Sequence, residues 1–598
     1  MRPHATYPNE EGPTIDGDAG WSGVDLRRDP GILPQGLASA AQNLEFRQGG
    51  AETRPSFETK AWGQDYALAN LEDPALDCDD IDFDLPWGFG EVLGAEDFSN
   101  PNGQDMVLLA VKNGVWKIVP HAPPDLIKIE DGTGILTGPV EFVQCFDRVV
   151  MLRGEGLPDL VWNPALDFTA GLDAFRPVSQ TDARNPDPAN TFGDGTQPIP
   201  PSTCGALLGS RLWLDFAGDQ LGVSDILDYT RFSAAESQLR ANAGKADSIV
   251  ALRPLAEQQM VVFCDDSIFL FQNAVGDLST LVQAVLTRQH GLAARHAVAQ
   301  WGNDLWFLAG RSRGVYSLGA TAQGLIQAGA DPVSAPIDPL LQRVNWGAIG
   351  GACAESHDGR FYLAVPLDGA THNNALLVYD GLNQAWAGLW NADFLDVYRF
   401  VKVKVGGSWR LAWVTGNSNA NRQWHGALVH LGDDLQDWAF GAAQPIVSTL
   451  TTRGYGGVLS GSPEWKRFLA ADVEVETFYP RLTLTLTASG QRAQTLLDGA
   501  TPNRTASVKF AGKPVSLDNH DGRLGCADRA DYAVLTGDFP LTFGGGVALG
   551  RFRRQTLRRR VRARGRYAQV ALTCDRGAMR VRGANLQFII TDREDVSR

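Results

Sequence analysis

The chain has 598 residues, 44% of them hydrophobic, with 65 Gly, 16 Trp and 27 Phe against 5 Met, and a formal net charge of −16. That length exceeds one ordinary core, the composition favours β structure with many tight turns, and the negative balance argues against a protein that reads nucleic acid. No window approaches the ~18 consecutive apolar residues of a membrane span, and the first residues lack the apolar core of a signal peptide, so synthesis in a cytoplasm is expected.

Residues 1 to about 20, rich in Pro, Glu, Asp and Gly, read as a flexible arm. Gly36 to Gln42 reads as a short turn of helix, and Asn43 to Phe57 as a hairpin folded at Gln48-Gly49-Gly50. Asp73 to Glu91 is an acidic loop. Asp80, Asp82, Asp84 and Glu91 occupy carboxylate positions of a calcium loop, but Leu85 stands where the sharp turn needs Gly. A solvated loop is therefore expected, with no metal and no cofactor.

From Asn100 to Asp434 one unit recurs: a polar corner, an apolar strand, a turn and a returning strand. Gly302 to Leu318 shows it most fully, with Gly302-Asn303-Asp304 leading into Leu305-Trp306-Phe307-Leu308 and a return through Val315-Tyr316-Ser317-Leu318. Gly209 to Leu214 and Asp358 to Tyr379 repeat it. Looser copies run from Asp105 to Ile118, Phe146 to Trp162, Gln259 to Phe271 and Trp409 to Leu431. Roughly seven units of about 48 residues each match the ~40 to 50 of a propeller blade. The fold class expected is all-β: a β-propeller of six to seven blades over 61–440, a C-terminal antiparallel, sandwich-like β domain over 441–598, and an N-terminal arm and hairpin over 1–60. Two stacked sandwiches are the competing architecture. The Pro- and Gly-rich stretch Asn185 to Thr203 should protrude as an insertion, and Ala234 to Ala243 and Ala335 to Val344 read as short helices between hairpins.

Beyond Ile446 the pattern alternates. Leu482, Leu484 and Leu486 face one way and Thr483, Thr485 and Thr487 the other, as in a half-buried antiparallel sheet. The last strands run over Tyr567 to Leu572 and Met579 to Ile590, with a turn at Arg576-Gly577. Between them and the earlier strands, 551–566 places nine arginines in sixteen positions. Arg558, Arg560, Arg562, Arg564 and Arg566 alternate with Arg559, Val561, Ala563 and Gly565, which is strand period and puts five guanidinium groups on one face. Such a row suits a subunit interface, where carboxylates of a neighbour pair with it, or a nucleic-acid contact.

The residues offer little catalytic chemistry. There is no GxSxG elbow, HExxH, P-loop or GxGxxG, and the nine histidines are dispersed. Asp215, Asp265, Asp304 and Asp358 hold equivalent repeat positions and could meet near a propeller axis, but acids in blade turns are the simpler account. The seven cysteines, far apart and without a CxxC pair, are expected to stay reduced.

Two groups of motifs carry a family resemblance. Gly23-Val24, Pro30-Gly31, Asn43 opening a strand, Gly49-Gly50 and Thr53-Arg54-Pro55 stand at the N-terminal side. Thr452-Arg453, Lys466-Arg467-Phe468 and the closing Arg-rich strands stand at the C-terminal side. Together they resemble tail nozzle and tail-hub propeller proteins of short-tailed bacteriophages. The resemblance implies a virion structural protein of the tail, made in the host cytoplasm and without enzyme activity. It implies a ring of six copies that closes the tail channel and gates DNA passage, with neighbouring tail, adaptor or fibre proteins as partners and genomic DNA passing without sequence-specific binding. Two other readings stay open: a carbohydrate-active or carbohydrate-binding propeller, and a non-viral scaffold propeller.

Overall fold

The computed structural model describes residues 13–59 and 91–591, apart from 100–104, 119–125, 132–134, 163–174, 178–200, 233–237, 320–331, 417–425, 458–463, 501–506, 527–541 and a few shorter stretches. The acidic loop up to residue 90, most of the insertion at 185–203, Cys78 and His425 lie outside the described residues.

The recurring unit of the sequence is the second and third strand of each propeller blade. Blade 1 comprises Val92–Ser99, Asp105–Val111, Gly114–Ile118 and Leu126–Asp131. Blade 2 comprises Glu141–Cys145, Arg148–Leu152, Leu160–Trp162 and Arg176–Pro177; blade 3 comprises Gly205–Leu208, Arg211–Ala217, Gln220–Val223 and Gln238–Arg240. Blade 4 is built from Ile249–Ala256, Gln259–Cys264, Ile268–Gln272 and Val282–Thr287, and blade 5 from Val298–Trp301, Asp304–Ala309 and Gly314–Ser317. Blade 6 holds Val397–Val405, Ser408–Thr415 and Leu428–Leu431, extended by Phe57–Glu58, Gln436–Ala439 and Ala442–Pro445. Between blades 5 and 6 lies a shared sector, Cys353–His357, Arg360–Val365, Ala375–Asp380 and Ala385–Trp390, which is also the start of a large curled sheet. The polar corners work because they hold the left-handed backbone that a tight turn needs: Ser210 has φ 65°, Gly302 φ 62° and Asp358 φ 48°.

The ring closes. The first strands of blades 1, 2, 3 and 4 touch in succession, as do those of blade 5, the shared sector, blade 6 and blade 1. Blades 4 and 5 join through a buried cluster including Val261, Phe263, Val298 and Phe307. Leu109 and Val111 of blade 1 pack against Val401, Ala412 and Val414 of blade 6. An N-terminal strand completes that last blade: Leu431 pairs with Phe57 and His430 with Glu58.

The curled sheet continues from Ala385–Trp390 through Ala40–Gln42 and Ser448–Thr451 to Ala568–Thr591 and Trp465–Ala488. Leu482, Leu484 and Leu486 are buried and Thr483, Thr485 and Thr487 partly exposed, as their alternation requires. Four local expectations are corrected. Thr14–Asp18 is a strand paired with Ala584 to Phe588, because its backbone completes the edge of a long strand. Gly36 to Gln42 holds the strands Leu37–Ala38 and Ala40–Gln42; pairing with Gly23–Val24 and with Thr449 to Thr451 overrides the weak helical preference of a seven-residue stretch. Within Ala234 to Ala243 the described Gln238–Arg240 is the outer strand of blade 3. Arg576-Gly577 is no hairpin turn, since Ala568–Thr591 is one strand of 24 residues. Its equally long partner takes up the irregularity in register shifts around Arg481. Ala335 to Val344 does start with helical turns, Ala335–Ile337 and Asp338–Leu341.

Candidate interaction surface

Arg54, from the Thr53-Arg54-Pro55 motif, is wholly buried. Its guanidinium donates to both carboxylate oxygens of Asp437 at 2.8 and 2.7 Å, to Asn43 Oδ1 at 2.9 Å, to Pro55 O at 2.8 Å and to Asn391 O at 3.1 Å. All five N–H donors are satisfied, and the plane rests 3.6 Å from the centre of the Phe57 ring. Arg453 plays the same part for the first strand, pairing with Asp16 at 2.6 Å and Asp18 at 3.1 Å. These two arginines staple the N-terminal segment to the body. Their signal in the sequence was a Thr-Arg pair, Thr53-Arg54 and Thr452-Arg453, in each of the two motif groups.

A second charged group crosses the propeller axis. Arg295, at the start of blade 5, donates to Thr203 O, to Thr203 Oγ1 at 2.8 Å and to Val250 O at 3.3 Å, and approaches Glu141 of blade 2 at 3.5 Å. Arg399 of blade 6 pairs with Glu96 of blade 1 at 2.7 Å. Arg253 bonds Arg295 O at 3.3 Å and lies 3.5 Å from His296 Nδ1. Burial raises the Glu141 carboxyl, against the lowering effect of Arg399, Arg253 and Arg295. Burial pushes the His296 imidazole well below its usual value, and the same three arginines push it further. His296 is thus neutral near pH 7.

The acids at equivalent repeat positions do not meet there. Asp215 is buried and accepts from Thr203 N at 2.7 Å, Thr203 Oγ1 at 2.6 Å and Cys204 N at 2.7 Å. Asp304 caps its own hairpin, accepting from Leu305 N at 2.7 Å and from Ser317 and Gly319. Asp265 and Asp358 sit in turns between strands. Each therefore shapes a blade. Among the described residues no group of three or more His, Cys, Asp or Glu is placed to hold a metal ion.

The arginine row forms as its period requires. Arg553–Gly565 is a strand along one side of Trp465–Ala488. Leu557, Val561 and Ala563 are buried in the main core. Arg558, Arg560, Arg562, Arg564 and Arg566 are exposed on the opposite face. Arg558 is partly compensated, 3.5 Å from Asp472 and 3.4 Å from Gln587 Oε1. Arg560, Arg562, Arg564 and Arg566 have no acidic partner among the described residues. Three uncompensated cations on one strand, about 7 Å apart, with Arg566 just past its end, stand out on a chain of net charge −16.

Residues 208–358 match the family model described as Bacteriophage P22 Gp10, beta-propeller. The matched stretch begins at the end of the first strand of blade 3, takes in blades 4 and 5, and ends in the first turn of the shared sector. No curated protein matches the chain. By this match and by its all-β propeller fold, the chain resembles phage tail propeller proteins.

Proposed function

We propose that the chain is a structural subunit of a bacteriophage tail, a nozzle or hub protein that assembles into a ring, closes the tail channel and lets DNA pass during ejection. The observation that carries this reading is the family match lying across intact blades of the propeller. The charged groups at the axis are engaged with one another and with backbone carbonyls, which suits a structural role better than acid–base catalysis.

The geometry of the axis supports a DNA path outside the single subunit. Arg295 links blade 5 to blade 2, three places away round a ring of seven sectors, so one arginine side chain bridges the bore. A duplex whose major groove alone is about 12 Å wide cannot pass through such a bore. A conduit then requires several copies around a common axis, and the negative balance of the chain would let a polyanion slide along its wall. Native mass measurement with negative-stain imaging of the purified protein tests the reading. A closed ring with an open central channel is the expected result; a monomer at every concentration, and with tail proteins present, would overturn it.

A further inference from the structure

Two surfaces on this chain complement each other, one on the curled sheet and one on blades 3 and 4. The first is the row Arg560, Arg562, Arg564 and Arg566 on the curled sheet. The second is an apolar spot across blades 3 and 4. There Leu227, 70% exposed and held at φ 61°, stands beside the exposed Ile226 and Val275. A bulky side chain in the left-handed region is strained, and an exposed one in that state has no core contact to justify the cost. The surroundings hold it there: Leu227 N donates to Ser210 O at 2.9 Å, Val275 packs on Gly209, and Arg211 ties the next loop down through Gly276 O at 2.7 Å. Asp225 and Asp277 lie on the two loops beside Arg211, and Asp228 pairs with Asp225 in the same turn, so acids outnumber the one arginine at the rim. An apolar centre with a charged rim is the anatomy of a protein interface.

We infer that the acid-rimmed spot on one copy seats against the arginine row of the next copy. The inference rests on the ring proposed above and names its two faces. Blade 3 lies three places round the propeller from the shared sector that carries the curled sheet, so the two faces are well separated on each subunit. Contact between two different faces is head to tail, and such contacts close into rings when the rotation between copies allows. The four unpaired guanidinium groups would find carboxylates, and Leu227 would leave water.

Two variants test the pairing. One carries Ile226→Lys and Leu227→Lys, the other Arg560→Glu, Arg562→Glu and Arg564→Glu; all five side chains are exposed, and unchanged thermal transitions confirm folding. Each variant alone should be monomeric by native mass measurement. Mixed in equal amounts they should give a dimer of one copy each and nothing larger, because one intact spot and one intact row remain. A mixture that stays monomeric, or an arginine variant that still forms rings, overturns the pairing while leaving the ring reading intact. Normal rings that lose binding to a DNA duplex would instead assign the row to nucleic acid. A wild-type protein that never assembles defeats the ring reading first.

Discussion

Arg54 shows what a buried arginine does when every donor is satisfied. Removing one partner strands the other charge, so Arg54→Met should cost about 3–5 kcal/mol in chemical denaturation. Arg54→Met combined with Asp437→Leu should cost clearly less than the two single changes added together; additive costs would refute the coupling. Asp159 gives a pH effect. It is buried at the edge of blade 2, and burial pushes its carboxyl up to about 8, against the lowering effect of Ser202 and of the Arg153 backbone nearby. Its folded value lies above the unfolded one, so the folded state holds the proton longer and stability falls as pH rises from about 4 to about 8. Asp159→Asn cannot titrate. The gap in melting temperature between this variant and wild type should widen in the variant's favour over that window; a gap independent of pH would refute the assignment.

Among the elements, the two strands of 24 residues set the shape of the curled sheet, and shorter strands are laid along their edges. Thr14–Asp18 covers part of one edge and brings Asp16 and Asp18 to Arg453. A chain starting at residue 19 would expose unpaired backbone and leave a buried guanidinium without either carboxylate. We expect it to lose several degrees of thermal stability and to aggregate on mild heating, since open strand edges template association. Light scattering during a thermal ramp checks this, and a truncated chain that melts like wild type would show that the strand contributes nothing. Cys145, Cys204, Cys264, Cys353 and Cys574 are all free and buried in such elements. Burial raises the Cys264, Cys353 and Cys574 thiols to about 12. None of these five should react with a thiol reagent in the folded protein, whereas seven thiols should be counted after denaturation without reductant.

On the scale of the whole molecule, closure depends on contacts between residues hundreds of positions apart. Phe57–Glu58 completes blade 6 near residue 430, and Ala40–Gln42 bridges the shared sector to the C-terminal strands. Such a topology has high contact order and folds slowly. Phe57→Ala, which empties a site packed by Trp413 at 4.9 Å between ring centres, should cost about 3–5 kcal/mol. It should also loosen the ring at one seam, so hydrogen exchange should quicken in blades 1 and 6 ahead of blade 4. Uniform acceleration across all blades would argue that this strand is no closing element.

The sequence by itself determined the β class, the recurring two-strand unit and the outward row of arginines. These are local features: alternation, turn residues and charge spacing act within a few positions, and the hairpins and the row followed from them. The number of free-standing blades, the joining of the C-terminal strands to the propeller, and the conversion of the supposed arm and helical turn into strands were decided by tertiary pairing. Thr14–Asp18 and Ala40–Gln42 are too short and too mixed in composition to specify a strand; each becomes one because a long neighbour offers an edge. The axial cluster of Arg295, Arg399, Glu141 and His296 was hidden for the same reason. Its members come from blades 2, 5 and 6, and only ring closure brings charges so distant in the chain to one axis.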